Sequence, residues 1–139
     1  MTAAAASSVV LDASTLVRAA IGQPSRERDD WLALVESGDA QGYAPDLLFF
    51  EVTNALAGYV RVGALSARRA ARALQRLMAL PIELVPSRQL ALRALSVALR
   101  HGLSAYDAAY ITVAEETGAT LVTADRRLAD ALPNSVLVV

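Results

Sequence analysis

Short apolar runs rich in β-branched residues alternate along this chain with longer stretches in which apolar positions recur every three to four residues. These are the periods of strand and helix. Residues 8–11 form the first such run, ending at Asp12, and read as a buried strand with a helical turn following from Ser14. Ser25 suits an N-cap ahead of a charged first turn, and Trp31, Leu32, Leu34 and Val35 supply an apolar stripe that stops at Gly38. Residues 41–44 predict a short strand. Pro45 and Asp46 then mark a helix start running to about Arg61, because proline suits the first turn and an acid suits the positive end of the helix dipole. Beyond Gly63, residues 66–80 alternate Arg68, Arg69, Arg72 and Arg76 with Ala and Leu, so that 45–80 predicts a helical hairpin. Pro81 stops it, 82–85 is a strand, and Ser87 caps a helix over 88–101 that closes at Gly102. A helix over 104–117, a strand over 119–123, a short helix opened by Asp125 and a final strand over 135–139 complete the chain.

Short, almost wholly apolar strands separated by helices imply crossovers to a parallel sheet. The expected class is α/β, with a central parallel sheet of about five short strands, helices on both faces and the hairpin as an appendage. In such sheets ligands bind beyond the carboxyl ends of the strands, where the strand order reverses. No repeat or low-complexity linker divides the chain, and residues 1–139 are expected to form a single domain.

Composition narrows the chemistry. At 55% the hydrophobic share is high enough that some apolar surface is expected to meet a partner. Every window of membrane-spanning length carries Arg, Asp or Glu, and the opening residues lack the basic start of a secretion signal, so no membrane association and a cytoplasmic location are expected. The absence of cysteine excludes disulfides, thiolate zinc sites and cysteine nucleophiles. All 13 basic residues are arginine, which removes any mechanism needing lysine, and a net charge of -1 gives no strongly basic footprint.

Four acids stand out. Asp12 ends the first strand and Asp125 lies two residues past the strand ending at Thr123, so both belong to the same sheet edge. Helix capping is the plainer account of either one. Glu51 lies in an otherwise uncharged stretch that reads as a helix apolar all round and therefore buried, where a carboxylate is costly unless paired, protonated or metal-bound. Asp107, three residues after Ser104, suits a cap pair, but its neighbours are mostly apolar. If the four converge with separations of about 6 Å, each pair repels by about 3 kcal/mol at an effective dielectric of 20, or roughly 17 kcal/mol over six pairs. That exceeds a typical stability of about 5–15 kcal/mol. Given convergence, the cluster must take up protons or hard cations, and oxygen-only ligands favour Mg²⁺ or Mn²⁺.

The segments VVLDAST, PDLLFFEVTNALAGYVRVGAL and LSAYDAAYITVAEETGATLVTADRRL, with the closing strand, resemble the PIN-domain family, and EVTNAL and YDAAY resemble its VapC-type toxins. The resemblance covers nearly the whole chain. It implies a PIN-like fold in which Asp12, Glu51, Asp107 and Asp125 bind one or two Mg²⁺ or Mn²⁺ ions as the catalytic centre. It also implies supporting roles for Ser14, Thr123 and Asn54. The implied activity is endoribonuclease cleavage of RNA phosphodiesters by a metal-activated water, the metal also stabilising charge on the phosphate. Implied partners are an RNA substrate and a cognate VapB-like antitoxin, within a homodimer or toxin-antitoxin hetero-oligomer; the apolar and arginine-rich helices of the 45–80 hairpin are expected to carry the antitoxin contacts.

One departure leaves the number of metals open. Some relatives carry another acid just after the last Asp, whereas Arg126 and Arg127 follow here and Asp130 lies a turn on. Arg18, Arg126 and Arg127 are the candidates for phosphate contact, while the hairpin arginines read as a solvated face. His101 suits a helix end rather than a general base, and Tyr106 and Tyr110 are expected to pack in the core. The missing lysine weighs against receiver domains and haloacid-dehalogenase-type phosphatases, and no glycine-rich phosphate loop is present. The alternative is a non-catalytic PIN-like module that binds RNA or protein.

Overall fold

The computed structural model describes residues 7–138, so the expectations placed on residues 1–6 and on Val139 lie outside it. Its strands are β1 (Ser7–Leu11), β2 (Ala40–Pro45), β3 (Ile82–Val85), β4 (Thr120–Thr123) and β5 (Val136–Leu137). The helices are α1 (Ala13–Ala20), α2 (Arg26–Ser37), α3 (Leu48–Arg61), α4 (Ala67–Met78), α5 (Ser87–His101), α6 (Ala105–Thr117) and α7 (Arg126–Ala131). All strands pair in parallel in the order β3-β2-β1-β4-β5. The chain therefore winds outward from β1 to β3, returns to the other side of β1 as β4, and winds outward again. Right-handed crossovers in the two directions put the connecting helices on opposite faces. The reversal falls between β1 and β4, paired Val9 to Thr120 and Leu11 to Val122.

Burial explains why the strands are so apolar. Val9, Val10, Leu121 and Val122, in the two central strands, are completely buried. Helix α6 is covered on both sides, by the sheet and by α5, and every residue from Ala108 to Ala114 is buried. Helices α1, α3 and α4 form a separate contact layer. At Gly42 a β-carbon would stand 3.2 Å from both Val35 Cγ1 and Ile82 Cγ1, so the glycine lets α2 and β3 close on β2. Among the described residues no helix is long and apolar enough to cross a membrane.

Most expected boundaries hold. Ser25 accepts from the Arg28 N–H at the start of α2, Ser66 from the Arg69 N–H at the start of α4, and Gly38 ends α2 with φ of +85°. Two expected helix starts do not. Pro45 ends β2, beyond the last β1 pairing at Tyr43, where its missing N–H is not needed. Helix α3 begins only at Leu48 with no side-chain cap. Helix α5 already includes Ser87, with Pro86 at its N-cap. Asp46, expected in the first turn of one helix, and Ser87, expected to cap another, instead bond to each other, the Ser87 hydroxyl donating to Asp46 Oδ1 and joining the ends of neighbouring strands. Helix α3 is also not buried all round: Phe50 is 83% exposed.

Candidate active site

Asp12 is the first residue past β1 and is only 3% exposed. It caps α1, as its bland reading requires, with Oδ1 accepting from the Thr15 N–H at 3.1 Å. It also does more. Oδ1 accepts from the Ser14 hydroxyl at 2.7 Å, and Oδ2 accepts from the Thr123 hydroxyl at the end of β4, 111 positions away. Thr123 Oγ1 in turn accepts from the Asp125 N–H at 2.9 Å, and Ser14 Oγ from the Ala124 N–H at 3.4 Å. The two hydroxyls assigned supporting roles thus stitch the ends of the switch-point strands together. Burial pushes the Asp12 carboxyl up, and the hydrogen bonds from Thr123, Ser14 and Thr15 only partly oppose this. Every one of these donors is neutral.

Glu51 stands in the first turn of α3 and accepts at Oε1 from the Tyr110 hydroxyl of α6 at 2.8 Å. Its carboxyl is also pushed up, chiefly by burial and then by the charges of Asp107 and Asp12, against the bond from Tyr110. Tyr110 is 2% exposed, and burial, with Glu51 beside it, drives its phenol far above the ordinary range. Its ring packs as expected, but its hydroxyl is a site group that the sequence reading missed. The available signal was the three-residue spacing from Asp107, which puts both on one helix face. Tyr106 departs from expectation outright: at 63% exposed it lies on the surface.

Asp107 and Asp125 are joined through Arg127. The Ser104 hydroxyl accepts from the Asp107 N–H at 3.1 Å, capping α6, which leaves the Asp107 carboxylate free to face Arg127 Nη2 at 3.6 Å. Asp125 caps α7 by accepting from the Arg127 N–H at 2.9 Å, and the same residue's Nη2 donates to Asp125 Oδ2 at 3.3 Å. Arg18 lines a cavity of about 330 Å³ with Ser14, Val17, Glu51 and Tyr59. Asn54 is exposed beside it on α3, and Arg126 and Asp130 are exposed on α7.

The four acids therefore gather at one edge of the sheet, but not as the tight cluster whose repulsion was calculated above. Among the described residues no three Asp, Glu or His side chains stand close enough to hold an ion as they are. The charge is spread instead: Asp12 is buried among neutral donors, Glu51 is paired with a phenol, and a guanidinium stands between Asp107 and Asp125. The donor chemistry nonetheless fits a hard divalent cation, since all the groups are carboxylate oxygens and the most buried of them has no cationic partner among the described residues.

Comparison with known proteins identifies the family. The PIN domain family model matches residues 9–131. Ribonuclease VapC3 of Pyrobaculum aerophilum is 33% identical over 127 residues, covering 90% of this chain and 95% of that protein. The crystal structure of PAE2754 from Pyrobaculum aerophilum superposes with a TM-score of 0.74 at 29% identity, covering 94% of this chain and 83% of that one. The fold also matches VapBC2 of Rickettsia felis, solved bound to a DNA fragment from its promoter, with a TM-score of 0.64 at 15% identity over 94% of this chain and 96% of that one. With the family model spanning most of the sequence and a relative one-third identical over nearly its whole length, this chain belongs to the PIN domain family.

Proposed function

We propose that this chain is a metal-dependent endoribonuclease toxin that hydrolyses RNA phosphodiester bonds and is neutralised by a cognate antitoxin. The observation that carries the reading is geometric: Thr123 and Ser14 hold Asp12 at the ends of β1 and β4, Tyr110 ties Glu51 to the helix that carries Asp107, and Arg127 bridges Asp107 and Asp125. Carboxylates in this relation are stabilised by a shared cation, and Asp12, Glu51, Asp107 and Asp125 would hold Mg²⁺ or Mn²⁺. Such an ion supplies a water of lowered pKa and neutralises charge developing on the phosphate. The residues of the chain do the rest. Thr123 and Ser14 orient Asp12, Tyr110 orients Glu51, and Arg18 stands in the cavity beside Glu51, where a phosphate would approach. A relative named as a ribonuclease supports the assignment of substrate.

The antitoxin is assigned to the α3–α4 hairpin. Its helices leave an apolar groove of about 380 Å³ lined by Leu56, Ala57, Val60, Ala70, Ala71 and Leu74, with Arg61 at the rim. Solved toxin-antitoxin assemblies among the fold neighbours support a protein partner. The test is incubation of the purified protein with structured RNAs in Mg²⁺ or Mn²⁺ and in EDTA. Metal-dependent cuts that vanish in Asp12→Asn are expected. RNA binding with no cutting under any metal would favour a non-catalytic PIN module instead.

A further inference from the structure

Arg127 makes the only ion pairs to any of the four acids among the described residues, and it reaches two of them with one nitrogen. Its position is built in. The Asp125 cap on its own N–H fixes the start of α7, which aims the side chain back over Asp125 Oδ2 at 3.3 Å and Asp107 Oδ2 at 3.6 Å. Two carboxylates from α6 and the β4–α7 junction thus already share one cation, supplied by the chain itself. That cation is weakly held, because the Arg127 side chain is 70% exposed and exposed pairs are screened by water and salt.

We propose that Arg127 is an internal counter-cation that competes with the divalent ion for Asp107 and Asp125 and is released when that ion binds. The proposal rests on the metal-dependent reading above and deepens it. With Arg127 in place the charge of the two carboxylates is partly offset and both face the guanidinium. A divalent ion brings twice the charge and accepts oxygen ligands from several directions, so it displaces the guanidinium rather than sharing with it. Once released, the guanidinium remains tethered beside the site with its five donors free, placed to take a phosphate oxygen of an RNA strand. One residue thereby occupies the site without metal and serves substrate with it. Arg126, its neighbour, pairs with none of the acids among the described residues.

The experiment is calorimetric titration of Mn²⁺ into metal-free protein at low salt, with no RNA present, for wild type, Arg127→Gln, Arg126→Gln and Asp12→Asn. Loss of two weak pairs is expected to tighten Mn²⁺ binding to Arg127→Gln by about threefold to tenfold. Arg126→Gln should bind as wild type does, and raising the salt should shrink the Arg127→Gln difference. Equal or weaker Mn²⁺ binding by Arg127→Gln overturns the competition while leaving the metal site standing. Failure of the wild type to bind Mn²⁺ at all, or undiminished binding by Asp12→Asn, overturns the metal reading and this inference together.

Discussion

The Tyr110 hydroxyl donates to Glu51 Oε1 at 2.8 Å, joining α6 to α3 across 59 positions of sequence. This bond fixes the half-buried carboxylate at the only side-chain hydrogen bond found for it among the described residues. Tyr110→Phe keeps the ring and deletes the donor. The expected cost is about 1–3 kcal/mol of stability, the penalty of an unsatisfied buried polar group, measured by urea denaturation. Because the bond lowers the Glu51 pKa, the variant should also raise it further, read by side-chain carboxyl NMR. A Glu51 titration unmoved by the substitution would show that the phenol does not orient the acid.

Asp12 gives a pH dependence whose sign follows from its burial. Burial holds its folded-state pKa above the ordinary carboxylate value, so the folded protein binds the proton more tightly than the unfolded chain does. Stability from this group is present below the unfolded pKa and is lost as pH rises through the folded one. Glu51 is raised for the same leading reason and adds to the trend. In EDTA, Asp12→Asn should therefore be more stable than wild type at pH 7, with the advantage disappearing toward pH 4, while RNA cleavage is abolished. A less stable Asp12→Asn at neutral pH would contradict the account of an uncompensated buried charge.

Divalent metal should act in the opposite direction on wild type. An ion that binds only the folded state at 100 times its Kd stabilises by about 2.7 kcal/mol. Mg²⁺ or Mn²⁺ should then raise the melting temperature of wild type by several degrees and leave Asp12→Asn unchanged, measured by differential scanning calorimetry. Thr123→Val, which removes the hydroxyl that holds Asp12 Oδ2, should weaken metal binding by about 10–100-fold, the usual cost of losing such a support.

The hairpin groove supplies an expectation about partners. Ala71 is exposed and lines the groove, so Ala71→Arg should leave the isolated protein's melting temperature unchanged. It should weaken antitoxin binding by at least about tenfold, in the range of substitutions at interface hot spots. Biosensor affinities unaffected by Ala71→Arg would move the antitoxin to another face.

The contact of α2 and β3 over β2 can be probed by itself. Gly42→Ala would press a β-carbon to 3.2 Å from both Val35 Cγ1 and Ile82 Cγ1. About 1–3 kcal/mol of destabilisation is expected from such overpacking, read by chemical denaturation, with the acids undisturbed.

What the sequence by itself determined was local. Strand and helix periods, the Ser25 and Ser66 caps and the Gly38 stop are short-range chemistry, and they placed Asp12 and Asp125 at one sheet edge because each lies within two residues of a strand's end. Tertiary structure decided whatever depends on which groups meet. Asp46 and Ser87 each look like a helix start in isolation, yet each found a better partner in the other once β2 and β3 lay side by side. Tyr106 and Tyr110 share a helix face in the sequence, but only Tyr110 lies where α3 brings a carboxylate to its hydroxyl. The sequence marked Arg127 as a candidate for phosphate contact, but only α7 set it against Asp107, 20 positions upstream. The physical reason is that caps and periods are satisfied within a turn or two of chain, whereas charge compensation is settled by neighbours that only the packed sheet and its helices bring together.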